Sequence, residues 1–199
     1  MKHLKFFGES VNDRYVDEAV SILRDGGVII YPTDTVYALG CDALNNNAIE
    51  QLCKIKNIDP RKQTLSVVCD GLSMASEYAR IDNEAFRILR RNLPGPFTFI
   101  LPAATTLPKV FKGRKEVGIR VPDNQITRAL VERLGNPMLS TSLPQDENYL
   151  DPATIALDYE NIAELLVDGG ECDSQLSTVV DITDSHSPEI TREGKGTLQ

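Results

Sequence analysis

The stretch that decides the fold of this 199-residue chain is GGVIIYPTDTVYALG, residues Gly26–Gly40. Its apolar, β-branched run Val28–Tyr31 follows two glycines and predicts a buried strand. Pro32 lacks an N–H group and ends the hydrogen-bond ladder of that strand. The polar residues Thr33–Thr35 then fall just beyond a strand end, where open α/β sheets place their ligands. The alternative interpretation is an ordinary turn, with both threonines satisfying backbone groups and Asp34 capping a helix.

Predicted strands and helices alternate along the rest of the chain, which indicates an α/β fold with a mixed sheet. The expected strands are Val28–Tyr31, Leu65–Cys69, Phe97–Leu101, Val117–Val121, Met138–Leu139, Glu164–Val167, Ser177–Ile182 and a last one around Glu189–Arg192. The expected helices follow Asn12 or Asp13, Asn45–Asn47, Asp82, and Asp123 or Asn124, and also cover Leu72–Tyr78 and part of Pro152–Asp158. A polar loop is expected between Pro144 and Asp151.

The composition predicts a single soluble domain spanning residues 1–199, with 41% hydrophobic and 25% charged residues. No apolar run is long enough to cross a membrane, and the N-terminal residues lack the apolar core of a signal peptide. The four cysteines contain no C-x-x-C pair, so neither a zinc site nor a disulfide framework is expected. We therefore expect a cytoplasmic protein that has no membrane partner.

The net charge of −8 is unevenly distributed. Residues 1–133 contain 19 Lys and Arg against 16 Asp and Glu, whereas residues 134–191 contain 12 Asp and Glu and no Lys or Arg. The acidic third is interpreted as a solvated surface. The mildly basic remainder can still form a cationic pocket, because the local field determines which ligands are captured.

Several kinds of catalytic site are poorly supported by the residues present. The two histidines, His3 and His186, lie near the chain ends, so a Ser-His-Asp or Cys-His site is not expected. The sequence contains no clustered metal-ligand motif and no G-x-G-x-x-G after a strand, so no metal site is predicted. Hydroxyl groups at strand ends and scattered cations instead suit the binding and orientation of anionic reactants.

The cationic segment Lys54–Lys62 contains four Lys or Arg in nine residues, at a helix end and in the following loop. Lysine is a common phosphate ligand, so the segment is a candidate phosphate site. The alternative is that the cations only complement the helix dipole. Gly194–Thr197 superficially resembles a phosphate loop, but it lacks the upstream glycine spacing and the following helix.

The opening stretch and several later blocks together resemble the YrdC-like domain family. PTDTVYALG is similar to the opening signature of the family, which usually has Glu at the position of Asp34. Further matching blocks follow in family order: the Lys54–Lys62 segment, Leu93–Thr98 (LPGPFT), Val117–Pro122 (VGIRVP), Ser140–Ser142, Ser177–Asp181 (STVVD) and Arg192–Gly194. The resemblance runs from about Val16 to Gly194 and identifies the chain as a member of the family.

The resemblance implies a twisted mixed sheet with flanking helices and a concave cationic pocket. Characterised enzymes of the family make threonylcarbamoyl-adenylate from L-threonine, bicarbonate and ATP, with Mg²⁺ accompanying the ATP. The expected function is therefore that of a nucleotidyltransferase whose product feeds tRNA threonylcarbamoyladenosine modification. Proteins of tRNA modification are the expected macromolecular partners.

Candidate site residues are carried over from the matching blocks. The resemblance assigns threonine binding to Thr33, Arg120, Thr141 and Ser177. It assigns the nucleotide and its phosphates to Lys54, Lys56, Arg61, Ser140, Ser142 and Arg192. Catalytic roles fall on Lys56 and on Arg120, whose guanidinium fork suits the threonine carboxylate. The alternatives are strand-end capping for the hydroxyl residues and a partly buried ion pair for Arg120.

The chain departs from the enzymes of the family at the nucleotide and bicarbonate end. The family motif K-x-R lacks its Arg here, because Lys56 is followed by Asn57 and Ile58, although Arg61 could substitute from a longer loop. The Asn of the family motif S-x-N is replaced by Pro144, which cannot donate a hydrogen bond. The Asn and His of the family segment N-P-L-I-V-H are also absent from Thr64–Cys69. This combination is most like the YciO-like branch.

Two functions therefore remain open from the sequence. The first is threonylcarbamoyl-AMP synthesis. The second is a binding protein that retains affinity for nucleotide or double-stranded RNA, with weak or no synthesis. Basic clusters at Lys54–Lys62, Arg87–Arg91 and Lys109–Lys115 are compatible with RNA, and such binding would depend steeply on salt concentration.

Overall fold

A computed structural model describes residues 1–6, 11–59, 65–104 and 113–199. In this part of the chain, the helices are α1 (Asp13–Arg24), α2 (Asn46–Lys56), α3 (Leu72–Tyr78), α4 (Asn83–Asn92), α5 (Gln125–Leu134) and α6 (Pro152–Asp158), with a 3₁₀ turn at Glu147–Leu150. The strands are β1 (Lys2–Lys5), β2 (Ile29–Tyr31), β3 (Ala38–Asp42), β4 (Ser66–Val68), β5 (Phe97–Pro102), β6 (Glu116–Arg120), β7 (Met138–Ser142), β8 (Leu165–Asp168), β9 (Thr178–Asp181) and β10 (Glu189–Arg192).

The ten strands form one sheet in the order β1-β8-β2-β3-β7-β4-β6-β5-β9-β10. The sheet contains both parallel pairs, such as β2–β8 and β4–β6, and antiparallel pairs, such as β3–β7 and β5–β6. This arrangement confirms the predicted α/β fold with a mixed sheet and flanking helices.

Two strands, β1 and β3, were not predicted from the sequence. Three of the four residues of β1 are exposed, so no apolar alternation marks it. In β3 the first four residues, Ala38–Cys41, are all buried, and they include small residues. Gly40 lies against the Tyr31 ring, where an added Cβ would come within 2.6 Å of Tyr31 Cε1. The strand therefore depends on close packing against β2, which a pattern of alternating polarity does not reveal.

The apolar run in β2 is buried on both faces of the sheet, as a continuous hydrophobic strand should be. Ile29 and Tyr31 pack in one cluster with residues of α1 and α5, such as Leu23 and Leu130. Ile30 packs in the other cluster, which contains residues of α2, α4 and α6. Strand β2, in the stretch Gly26–Gly40, thus lies between the two cores.

The helix-capping residues agree with those predicted from the sequence. Asn12, Asn45 and Asp82 accept backbone N–H groups at the starts of α1, α2 and α4. At α5 the cap is Asn124, whose side chain accepts from the Thr127 N–H. Within the described ranges, no helix is both long and apolar enough to cross a bilayer.

The helices that the structure describes cover only part of one face of the sheet. Helices α1 and α5 pack against each other on the face that carries Met138 and Val68. Ser66 and Ser140 pair in register, two residues from Val68 and Met138 on their strands, so their side chains share that face. This uncovered part of the face forms the floor of the candidate site.

Candidate active site

A cleft of about 430 Å³ lies across this uncovered face. The residues that line it are Ser66, Thr98, Ile100, Arg120, Ser140, Thr141, Ser142, Leu143, Pro144, Gln145, Leu176, Ser177, Val179 and Arg192. The fold therefore brings together six residues that the sequence analysis selected from separate blocks: Arg120, Ser140, Thr141, Ser142, Ser177 and Arg192. The cleft runs over the sheet face, whereas the sequence pattern had indicated a site just beyond a strand end.

The strand register explains why there is space at the centre of this floor. Ser66 pairs with Ser140 on one side and with Gly118 on the other. Gly118 pairs in turn with Ile100. Paired residues point to the same face, so Gly118 places no side chain between Ser66 and Ile100. The glycine of the VGIRVP block thus leaves room above the sheet.

Arg120 ends β6 and is only 4% exposed. Its Nη2 donates to Asp34 Oδ1 at 2.9 Å and to Thr35 Oγ1 at 3.1 Å. Its Nε is buried and has no hydrogen-bond partner among the described residues. A buried charged donor without an acceptor is costly. The Arg120 side chain also lines the cleft, so its positive charge would favour an anionic ligand there.

Asp34 anchors Arg120 and does not cap a helix. Its second carboxylate oxygen, Oδ2, accepts the Asp123 N–H at 3.0 Å, and its side chain is only 7% exposed. The sequence analysis had offered a buried ion pair as one interpretation of Arg120, and the pair exists. Because Asp34 fixes one end of the guanidinium, the direction of Nε is also fixed.

Thr33 stabilises the turn beside this pair. Its hydroxyl donates to Val36 O at 2.7 Å and accepts the Thr35 N–H at 3.0 Å. Thr33 is buried and is not among the described residues that line the cleft. The geometry matches the turn interpretation of this threonine, and its assignment to threonine binding stays a prediction.

Ser177 and Arg192 form a second polar group at the same end of the cleft. Ser177 Oγ lies 2.9 Å from Thr98 Oγ1 and 3.1 Å from Arg192 Nη2. Arg192 also donates from Nη2 to Ser177 O at 2.7 Å. Partial burial and the neighbouring Arg120 cation lower the pKa of Arg192 below its usual value. Two guanidinium groups are therefore held at this end, and both favour an anionic ligand.

The residues Ser140–Ser142 lie within β7, although the sequence predicted that they follow it. The Ser140 hydroxyl accepts from Tyr31 OH and donates to Leu39 O, so it is already engaged inside the protein. Burial raises the pKa of Tyr31 to about 12, which keeps this phenol protonated as a donor at neutral pH. Thr141 and Ser142 are half-buried and line the open part of the cleft.

Lys56 lies beside the cleft at the end of α2. Its Nζ donates to Ser142 O at 2.9 Å, and partial burial lowers the pKa of this ammonium group. Lys54 is exposed on the same helical turn. Arg61, the third cation proposed for phosphate, lies outside the described residues.

The family resemblance assigned no binding role to three contributors to the site. Thr35 accepts from Arg120, and Thr98 supports Ser177. Lys195 Nζ donates to Asp34 O at 2.7 Å from the segment that had been rejected as a phosphate loop. Thr35 and Thr98 occur inside the quoted blocks, so their positions carried a signal. Lys195 carried none, because its contact depends on the path of the chain after β10.

These geometries agree with the relationships of the chain. Residues 21–194 match the Sua5/YciO/YrdC family model, which is described as "Telomere recombination". The chain belongs to this family. It is 41% identical to the uncharacterized protein YciO of Escherichia coli K12 over 196 residues, covering 96% of this chain and 94% of that protein. It is 34% identical to the threonylcarbamoyl-AMP synthase of Coxiella burnetii over 141 residues, covering 70% of this chain and 73% of that one.

Solved structures of family members show the same fold. The crystal structure of E. coli YciO matches with a TM-score of 0.91 at 40% identity, covering 99% of this chain and 98% of that one. The crystal structure of P. abyssi Sua5 complexed with L-threonine matches with a TM-score of 0.84 at 27% identity. That match covers 97% of this chain and 57% of the Sua5 chain. The predicted family membership and the likeness to YciO are both confirmed.

Proposed function

We propose that this protein is a threonylcarbamoyl-AMP synthase-like enzyme that uses L-threonine, bicarbonate and ATP. The observation that carries the proposal is the buried Arg120, whose Nε lacks a partner among the described residues and which lines a cleft rich in hydroxyl groups. The family includes proteins named threonylcarbamoyl-AMP synthase and a Sua5 crystallised with L-threonine, which supports threonine as the amino acid.

In the proposed reaction the threonine amine attacks the carbon of bicarbonate, and water leaves to give a carbamate. A carbamate oxygen then attacks the α-phosphorus of ATP. The bond from that phosphorus to the bridging oxygen breaks, and pyrophosphate leaves. The enzyme mainly positions these reactants and stabilises negative charge, which is how proteins promote phosphoryl-group chemistry in general.

The two ends of the cleft would divide this work. Arg120, which lines the cleft, would attract the threonine carboxylate with its guanidinium charge, while the Ser177 hydroxyl would lie close to the bound amino acid. At the other end, Ser142 offers a half-buried hydroxyl group to the nucleotide, and the half-buried Thr141 lines the same cleft. Lys56 would place a cation near the phosphates, because its ammonium group already lies against the Ser142 carbonyl.

Mg²⁺ would enter with ATP as part of the substrate. In the described ranges, no group of three His, Cys, Asp or Glu side chains is placed to hold a metal ion. Asp34 is occupied by Arg120 and the Asp123 N–H, so it is a poor metal ligand. Mg²⁺ in such sites is usually held largely by substrate phosphates and water.

The test is pyrophosphate release by the purified protein, with threonine, bicarbonate and ATP each omitted in turn. We expect release that requires all three, and at least about a tenfold loss in Arg192→Met. Arg128→Met is the matched control, because Arg128 is exposed on α5 and does not line the cleft. Release that is independent of threonine would contradict the proposal. Absence of release with retained binding of ATP or double-stranded RNA would favour the binding-protein alternative instead.

The place of the product in metabolism is part of the same proposal. A threonylcarbamoyl-adenylate is an activated mixed anhydride, and a tRNA-modifying enzyme would consume it as an acyl donor. We therefore expect threonylcarbamoyladenosine to appear in tRNA when this protein replaces the synthase in a reconstituted modification system. Absence of the modified nucleoside, despite pyrophosphate release, would overturn this part of the proposal.

A further inference from the structure

Lys195 ties the C-terminal segment to the turn that holds Asp34. Its Nζ donates to Asp34 O at 2.7 Å and forms an ion pair with Asp173 Oδ2 at 3.0 Å. Its backbone N–H donates to Leu176 O at 2.9 Å. The main chain of Lys195 is therefore bonded to the segment just before β9, while its side chain reaches the turn at Asp34.

The main chain on both sides of Lys195 is packed too closely to accept a side chain. A Cβ on Gly194 would lie 2.4 Å from Leu176 O, and a Cβ on Gly196 would lie 2.5 Å from Phe97 Cζ. Gly196 O also accepts the Thr178 hydroxyl at 2.7 Å. These contacts fix the point from which the Lys195 side chain extends.

The other partner of the Lys195 side chain, Asp173, lies beside the turn that holds Asp34. The Asp173 N–H donates to Thr35 O at 2.8 Å, so this residue also contacts the turn through its main chain. Hydrogen bonds from the Gln175 N–H and from Lys195 lower the pKa of the Asp173 carboxyl, which is therefore ionised at neutral pH. Without Lys195, a negative charge would remain uncompensated near the end of the cleft that holds Arg120.

We propose that Lys195 is a positioning residue for carboxylate recognition. It holds the Asp34 main chain so that the Asp34 carboxylate keeps the Arg120 guanidinium in place at the wall of the cleft, and it neutralises Asp173 at the rim. This inference rests on the proposed function, because it takes the carboxylate of L-threonine as the group that Arg120 receives. Lys195 itself touches neither substrate nor reacting atoms.

The first test is calorimetric titration with L-threonine and steady-state kinetics of pyrophosphate release. We expect Lys195→Met to weaken threonine binding and raise the KM for threonine by about tenfold, with kcat and the KM for ATP unchanged. Lys195→Arg should restore both to within about threefold of the native protein, because the cation and its donors are retained. Lys2→Met is the control, since Lys2 on β1 forms a surface ion pair with Glu18 on α1. Equal threonine affinity in Lys195→Met and the native protein would overturn the inference.

The second test does not depend on catalysis or on threonine. Hydrogen exchange followed by NMR should show the Asp173 amide exchanging about tenfold faster in Lys195→Met, because its bond to Thr35 O loses support. The amide of Leu166 in the buried strand β8 should be unchanged. If the native protein does not bind threonine, the proposed function fails, and this measurement still decides whether Lys195 holds the turn. Unchanged exchange at Asp173 would overturn that role.

Discussion

The two ends of the cleft are built in different ways. At the Arg120 end, the charged group is buried and locked by Asp34, Thr35 and its neighbours, and Ser177 is bonded on two sides. At the Lys56 end, the contact is made to a backbone carbonyl, and Thr141 and Ser142 are half-buried. The first end is preorganised before any ligand binds, whereas the second can adapt to one.

The difference suggests which reactant determines specificity at each end. A rigid, buried guanidinium distinguishes a carboxylate of fixed geometry, because an incorrect ligand would leave its donor unpaired. Half-buried hydroxyls and a lysine are more tolerant, since a point charge on a flexible stem imposes little geometry. Two departures from the family motifs, the Arg missing after Lys56 and the Asn replaced by Pro144, fall at the adaptable end, whereas Asp34, which stands where the family usually has Glu, belongs to the Arg120 end.

The largest expected effect tests the rigidity of the Arg120 end. Arg120→Met should lower the free energy of unfolding by about 3–5 kcal/mol, because Asp34 would remain buried without its partner. Adding Asp34→Leu should recover part of this loss, since the uncompensated charge is then removed. Urea denaturation followed by circular dichroism measures both. If Arg120→Met is as stable as the native protein, the buried ion pair between Arg120 and Asp34 does not stabilise the fold.

The next effect concerns the Lys56 end. Lys56→Met should reduce pyrophosphate release by at least about tenfold, because a cation near the phosphates is lost. Its free energy of unfolding should change by less than about 1 kcal/mol, since the lysine is only partly buried. Lys54→Met is the comparison variant, because Lys54 is exposed on the same turn. Equal losses of pyrophosphate release in Lys56→Met and Lys54→Met would show that the overall positive charge of this helix end is responsible, and not the position of Lys56.

A smaller effect compares one hydroxyl from each end. Ser177→Ala should lower the free energy of unfolding by about 1 kcal/mol, because it leaves the buried Thr98 hydroxyl and the Arg192 guanidinium less satisfied. Thr141→Val should stay within about 0.5 kcal/mol of the native protein. Thermal and urea unfolding measure the difference. A larger loss in Thr141→Val than in Ser177→Ala would reverse the proposed contrast between the two ends.

The smallest effect is a pH dependence. Partial burial lowers the pKa of Lys56 below 10.5, so the folded protein binds this proton less tightly than the unfolded chain does. Stability therefore rises as the pH increases through the window between the lowered and the ordinary pKa. As the pH rises toward 10.5, the native protein should therefore gain stability relative to Lys56→Met. A constant difference between the two proteins would show that burial does not affect this amine.

Much of the fold was predictable because the signals that define it are local. The periodicity of α1 and α5, their caps at Asn12 and Asn124, and the apolar run of β2 each depend on residues close in sequence. Strand β3 escaped prediction because all four of its first residues are buried and small residues interrupt the pattern. Six of the residues that line the cleft were predicted from the motif blocks, whereas most of the residues with which they form hydrogen bonds were not.

The family, the α/β class, the buried strand β2 and six of the residues that meet in the cleft can be read from the sequence alone. Local spacing and capping encode these features, because helices and strands form from neighbouring residues. The tertiary structure alone decided that Asp34 pairs with Arg120, 86 positions away, and that Lys195 reaches back to Asp34 across 161 positions. Such contacts follow from strand order and register, which bring distant segments together and so determine which carboxylate a buried cation meets.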